Sequence, residues 1–363
     1  MKIKAALTHK PGELVIEEAE LAAPKCNEVL VKMVACGVCH TDTAGMNQFI
    51  PVTLPVVLGH EGVGIVEEVG CEVTSLAPGD HVIISFPSCG SCGPCEHGHP
   101  FACDIRNDLM FNGSYKDGTK RISQNGEDVS SFFGQGSFAT YTVVDARNAV
   151  KVDPEVDLKA LCSLGCGINT GAGAVLNRLK PEEGSSLVVF GCGAVGMAAV
   201  MAGKIAGCST IIAVDVVDSR LEMAKELGAT HTVNGKTENT VERVREITGG
   251  GANYSAECSG VPALTIQALE CLTTMGTACI SSVTGDTAIE LKVEPLLMNP
   301  SRTLCGLTEG GSNPQEFLPK LVQYYKDGKL PVDKLNHYYK FDDIHQAFED
   351  SHSGKVIKPI LVF

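Results

Sequence analysis

The chain has no cluster of basic residues and no long apolar run. Its 29 lysines and arginines are outnumbered by 43 aspartates and glutamates, giving a formal net charge of −14. An acidic surface of that size repels nucleic acid and anionic membranes, so neither is an expected partner. No stretch of about 18 or more apolar residues goes uninterrupted by charge, so no transmembrane helix is expected. The opening segment MKIKAALTHKPGELVIEE lacks the apolar core of a signal peptide, and a cytoplasmic location is the expectation. Internal repeats are also absent, which sets solenoids and propellers aside.

What is present begins with size. At 363 residues the chain exceeds one comfortable hydrophobic core, and two domains are expected. Up to about residue 160, short β-branched runs (EVLVKMVAC, EGVGIVEEV, DHVIISF, FATYTVV) are broken by glycine and proline, which predicts an irregular, mostly β domain. From about 184 the runs SSLVVF, GCGAVGMAAVMAGKIAG, TIIAVDV and SRLEMAKELGA alternate strand and helix, the rhythm of a parallel sheet. It continues through NYSAECSG, ALTIQALECL, GTACISSV and RTLCGL. The tail carries an amphipathic segment, PQEFLPKLVQYYKDGKL, and ends on a strand-like KVIKPILVF that returns to the first domain. Expected boundaries are 1–166, 167–306 and a returning 307–363. The polar, glycine-bearing stretch 104–136 reads as a long surface loop.

Sixteen cysteines is a high count, and four fall within one short segment. Cys89, Cys92, Cys95 and Cys103 follow the pattern C-x2-C-x2-C-x7-C. Two-residue spacers let one tight loop present three thiolates to a zinc ion, and the longer excursion supplies a fourth. Buried free thiols or a disulfide pair are the competing readings. With four protein ligands no position remains for substrate, so this zinc would be structural. His97 and His99 nearby read as solvated loop residues. A second, open site needs only three ligands. Cys39 in ACGVCHTD and His60 in LGHEGVG are candidates, although spacing alone reads them equally as a core cysteine and a satisfied core histidine. Cys166 has a rival in Cys162.

Gly191, Gly193 and Gly196 form a GxGxxG, with Val195 inside it, between a predicted strand and a predicted helix. That is the context in which the motif binds pyrophosphate at a helix N-terminus. Asp215 ends the next strand, where a carboxylate binds the ribose hydroxyls and repels the 2′-phosphate of NADP. NAD is therefore the expected cofactor; a plain helix cap is the other reading of Asp215.

The ordered set GVCHTD, GHEGVG, the four-cysteine loop, LGCG-x3-G-x-G and GCGAVG resembles the zinc-containing medium-chain alcohol dehydrogenase family over essentially the whole chain. The resemblance implies an α/β fold: a GroES-like, β-rich catalytic domain plus a doubly wound Rossmann cofactor domain. It implies two zinc ions per subunit, with Cys39, His60 and Cys166 holding the catalytic one. Asp42 would orient His60, Glu61 would lie behind the metal, and Thr41 would relay the alcohol proton. Relatives often end that relay on a histidine where this chain has Ala44, so here it must end elsewhere. His40, Thr170, Arg220 and Lys358 match cofactor-contacting positions, His40 and Lys358 on the phosphate side and Arg220 near the adenosine ribose. FFGQGSFATYTVV, the 104–136 segment and GLTEGGSNPQEFLPKLV are similar to the aryl-alcohol branch and to terpenoid alcohol dehydrogenases. The glutathione-dependent formaldehyde dehydrogenases are the alternative branch, and Ser85, at an often aromatic position, implies a roomier pocket. A homodimer or homotetramer joined through strands near 275–306 is implied as well. A catalytically silent zinc- and NAD-binding protein is the reading from another class; it would be expected to lack a ligand or the Thr41 hydroxyl, and this chain keeps them.

Overall fold

A computed structural model describes all 363 residues, which fall into two compact units. The first comprises Met1–Cys166, Asn313–Lys326 and Val332–Phe363; the second comprises Gly167–Ser312 and Asp327–Pro331.

In the first unit the β-branched runs become two sheets. Strands Lys2–Thr8, Val15–Leu21, Ile122–Gln124, Glu127–Ser131 and Val56–Val57 close a small barrel. A seven-stranded sheet is organised around the long strand Glu28–Gly37, which pairs antiparallel with Glu61–Val69, Tyr141–Asp145 and the C-terminal Lys358–Val362. Alternation along Glu28–Gly37 sends Val29, Val31 and Met33 into one core with Val66, Val82 and Ile84. A second core forms around Leu7, Val57, Leu58, Phe132 and Phe138. Pairing Glu28–Gly37 with Glu61–Val69 in register Gly37↔Glu61 carries both strands to one end, so the turns after Gly37 and before Glu61 emerge side by side. Those turns hold Cys39 and His60.

The second unit is a six-stranded, wholly parallel sheet. Its order is His231–Asn234, Thr210–Asp215, Ser186–Phe190, Ala252–Glu257, Leu272–Ile280 and Thr303–Gly306. The chain starts in the middle, winds outward one way and then returns to wind the other, which is the doubly wound arrangement with its switch point beside Ser186–Phe190. Val188, Phe190, Ile212 and Val214 are buried, as strands covered by helices on both faces require.

Two expectations need correction. The 104–136 stretch is not a surface loop: it forms a helix, Arg106–Phe111, and two barrel strands. Four of its polar residues, Arg121, Ser130, Ser131 and Gln135, are buried, which disguised the pattern. Arg121 is buried, its Nε donates to Glu28 Oε2 at 2.8 Å, and its guanidinium lies 4.4 Å from the Tyr115 ring centre. The return to the first unit comes at Asn313 rather than 307, because Glu309 and Gly310 are tied within the second unit to Asn169 and Asn177. The chain also forms a disulfide, Cys26–Cys71, outside the sequence-based expectations. It joins the turns at the far end of the same strand pair, where Glu72 N donates to Cys26 O at 2.8 Å.

Candidate metal centres and dinucleotide loop

The sulfurs of Cys89, Cys92, Cys95 and Cys103 all lie within 4.8 Å of one another, and Cys89 and Cys95 are 4.0 Å apart. Four thiolates about 2.3 Å from one tetrahedral zinc would stand about 3.8 Å apart, so the loop is close to the required shape without rearrangement. Backbone N–H groups of Cys89 and Ser91 donate to the sulfurs of Cys103 and Cys89. Burial raises the Cys89 thiol, but the Ser91 N–H and the neighbouring thiols bring it down to about 6. Arg147 and Lys116 fasten the loop by donating to Cys89 O at 2.7 and 3.0 Å. His97 and His99 are exposed and stand outside the cluster.

A second cluster gathers Cys39, His60, Glu61 and Cys166, again with donor atoms within 4.8 Å. Asp42 assembles it. Its Oδ2 accepts from Cys39 N at 3.0 Å, while Oδ1 accepts from Gly59 N at 3.1 Å and from His60 Nδ1 at 2.8 Å. With Nδ1 protonated, the lone pair of His60 sits on Nε2, which is buried and has no hydrogen-bond partner. An orphaned buried acceptor beside two thiols is costly unless a ligand satisfies it, so the donor set fits a metal ion. The Cys166 thiol, helped by His60 and Lys358, holds Cys39 well below the usual thiol range against the effect of burial. Thr41 Oγ1 lies 3.7 Å from Cys39 Sγ, and Ala44 follows on the same short helix.

Lys358 stands behind this cluster. Its buried Nζ donates to both Glu61 carboxylate oxygens, at 2.9 and 2.8 Å, and to Val38 O at 3.3 Å. All three donors are used, and Lys358 is the counter-ion of Glu61. Two aromatic rings flank His60: Phe133 stacks on it at 4.5 Å and Phe132 meets it edge-on at 5.6 Å, while Phe111 lies against both phenylalanines. Ser85 is buried and donates to Gly165 O at 3.3 Å.

In the second unit, the loop after Ser186–Phe190 takes the turn its glycines permit. Gly191 has φ +86°, and a Cβ at Gly196 would stand 1.7 Å from Gly191 O. Only glycine fits there, and the helix Ala194–Ile205 starts with its N–H groups facing the loop, an anion site by geometry. Val195 lies in the first turn, packed so closely on the helix Gly167–Gly173 that a Cβ at Gly171 would meet Val195 O at 1.9 Å; Thr170 precedes Gly171 on that helix. Asp215 is buried at the end of its strand. Its carboxylate accepts from Cys192 N at 2.7 Å and from Val216 N and Val217 N, and Arg220 Nη1 is 4.0 Å away. His40 belongs to the first unit, at the start of the helix His40–Met46. Phe132, Phe133 and Gln135 meet around His60; the stretch FFGQGSFATYTVV stands out only through its resemblance to the aryl-alcohol branch, and nothing in it locates these side chains at His60.

Two family models match the chain: the alcohol dehydrogenase GroES-like domain over residues 25–154 and the zinc-binding dehydrogenase domain over 194–325. A geraniol dehydrogenase of Castellaniella defragrans is 40% identical over 362 residues, spanning 99% of this chain and 97% of that one. A class-3 alcohol dehydrogenase of Caenorhabditis elegans is 40% identical over 360 residues, 96% of this chain and 94% of its own. The crystal structure of benzyl alcohol dehydrogenase from Acinetobacter calcoaceticus superposes with a TM-score of 0.97 at 42% identity, covering 100% of this chain and 99% of that one.

Proposed function

The chain belongs to the zinc-dependent medium-chain alcohol dehydrogenases, and from that premise we propose that it oxidises an aromatic or allylic primary alcohol, of the benzyl alcohol or geraniol type, to its aldehyde with NAD. The observation that carries the reading is the orphaned His60 Nε2 between Cys39 and Cys166, with the Thr41 hydroxyl alongside. Cys39, His60 and Cys166 would hold the catalytic zinc and the four-cysteine loop a structural one. Zinc supplies a Lewis acid that brings ionisation of the alcohol toward neutral pH, and NAD supplies the hydride acceptor. The residues do the rest. Asp42 keeps His60 in the tautomer that turns Nε2 to the metal, and Thr41 receives the alcohol proton and passes it outward. The glycine loop binds the pyrophosphate, and Asp215 accepts from the ribose while opposing a 2′-phosphate. Rings at positions 111, 132 and 133 support an apolar, planar substrate.

Self-association is part of the same reading. Thr303–Gly306 is an edge strand, and Met275, Val283, Val293 and Met298 near it are exposed large apolar side chains. A homodimer or homotetramer built on that edge would cover them; a monomeric mass in light scattering would overturn this. No helix is long and apolar enough to cross a membrane; a cytoplasmic location is part of the same proposal.

The deciding assay follows NADH formation with benzyl alcohol, geraniol, short aliphatic alcohols and S-hydroxymethylglutathione, with and without a chelator. Highest kcat/KM on the first two, abolished by the chelator, is expected. Activity confined to S-hydroxymethylglutathione would overturn the substrate reading, and none on any alcohol would overturn the enzyme reading.

A further inference from the structure

Gln135 is fully buried, and all four hydrogen-bonding positions of its side-chain amide are filled. Nε2 donates to His60 O at 3.0 Å and to Ser85 O at 3.5 Å; Oε1 accepts from Gly62 N at 3.3 Å and from Ser137 Oγ at 2.6 Å. The orientation of the amide follows from its partners, since Gly62 N can only donate and His60 O can only accept. The amide thus grips the backbone on both sides of Glu61, in the segment that carries His60.

The grip extends to another ligand. Ser85, held by its carbonyl, uses its own Oγ to donate to Gly165 O, the residue before Cys166. The backbone around Gln135 is itself constrained: Phe133 holds φ +53°, unusual for a bulky side chain, and stacks its ring on His60. Thr142 Oγ1 donates to Gln135 O, fixing the turn from the neighbouring strand. His60 is thereby held by Asp42 at Nδ1, by Phe133 at its ring face and by Gln135 at its backbone.

We propose that Gln135 is a positioning residue for the three-ligand centre, one amide that sets His60 directly and Cys166 through Ser85. The inference rests on reading Cys39, His60 and Cys166 as a metal site. It requires that loss of the amide loosen this site and leave the four-cysteine loop, which Gln135 does not touch, intact.

The four-cysteine loop is therefore the internal control. The test compares wild type with Gln135→Leu, which removes all four bonds, and Gln135→Glu, which keeps the shape but cannot donate when ionised. Each is purified with its metals, and release to a chelator is followed separately for the two sites after cobalt substitution, whose absorption distinguishes a site with nitrogen from an all-sulfur one. Supporting outcomes are release from the three-ligand site accelerated by about tenfold or more, with an altered cobalt band, and release from the four-cysteine loop unchanged. Equal acceleration at both sites would mean a general loss of stability and overturn the proposal. So would no acceleration at either. A wild-type protein binding metal only in the four-cysteine loop would instead overturn the underlying site reading, which separates the two failures.

Discussion

The Nδ1 of His60 donates to Asp42 Oδ1 at 2.8 Å, and both side chains are fully buried. One carboxylate thereby orients the ring and ties its turn to Cys39 through the bond from Cys39 N. Changing Asp42→Ala leaves the imidazole free to rotate and to protonate on either nitrogen. Metal affinity at this centre should fall by about 10–100-fold, read by competition with a chelator. Unchanged affinity would mean that packing by Phe132 and Phe133 alone orients the ring.

The two cysteine sets should answer to different assays. Cys39→Ser or Cys166→Ser should abolish alcohol oxidation while the thermal midpoint stays near that of wild type. Cys92→Ser should lower the midpoint, because a structural zinc contributes folding free energy directly. Metal analysis should return two zinc ions per chain for wild type. If both classes of variant lost stability alike, the division between the centres would fail.

Asp215→Ser tests the cofactor. The substitution deletes a charged acceptor for the ribose and removes the charge that opposes a 2′-phosphate. A hydrogen bond to a charged group contributes about 1.5–3 kcal/mol, so kcat/KM for NAD should drop roughly tenfold to hundredfold. NADP use should rise, with Arg220, 4.0 Å away, free to meet the phosphate. Part of the loss should appear as stability, since Cys192, Val216 and Val217 each lose an acceptor for their N–H. Retained NAD preference would reduce Asp215 to a support for that turn.

Acid should weaken the fold partly through Asp350. Tyr339 Oη, the Lys355 ammonium and the Gln346 amide donate to its carboxylate and hold its pKa at about 2, below the ordinary 3.8. A carboxylate depressed in the folded state adds stability that is fully present above about pH 4 and is lost as the pH falls through about 2. Wild type should therefore exceed Asp350→Asn in denaturant midpoint at neutral pH, and the gap should close between about pH 4 and pH 2. A gap that did not vary with pH would mean the aspartate acts through packing.

The two cysteine clusters show what a sequence can carry. Cys89, Cys92, Cys95 and Cys103 are close in the chain, and short-range backbone geometry is enough to bring their sulfurs together. Gly191 and Gly196 are equally local: the turn needs them whatever the rest of the chain does. Both sites were therefore legible from spacing and context. Cys39, His60 and Cys166 were not, and only a family resemblance joined them. Their meeting depends on the register Gly37↔Glu61 and on where the chain leaves the first unit, neither of which is written in any short segment.

Polar groups turned inward escaped sequence reading for a related reason. Arg121, Gln135 and Lys358 have the composition of surface residues, and nothing local says that Glu28, the His60 backbone or Glu61 waits for them. The sequence by itself determined the chemistry available: thiolates, one imidazole, a phosphate-binding turn and an acidic strand end. Tertiary structure decided which of these meet. A buried donor and acceptor must find each other across the whole fold, and strand register sets that pairing.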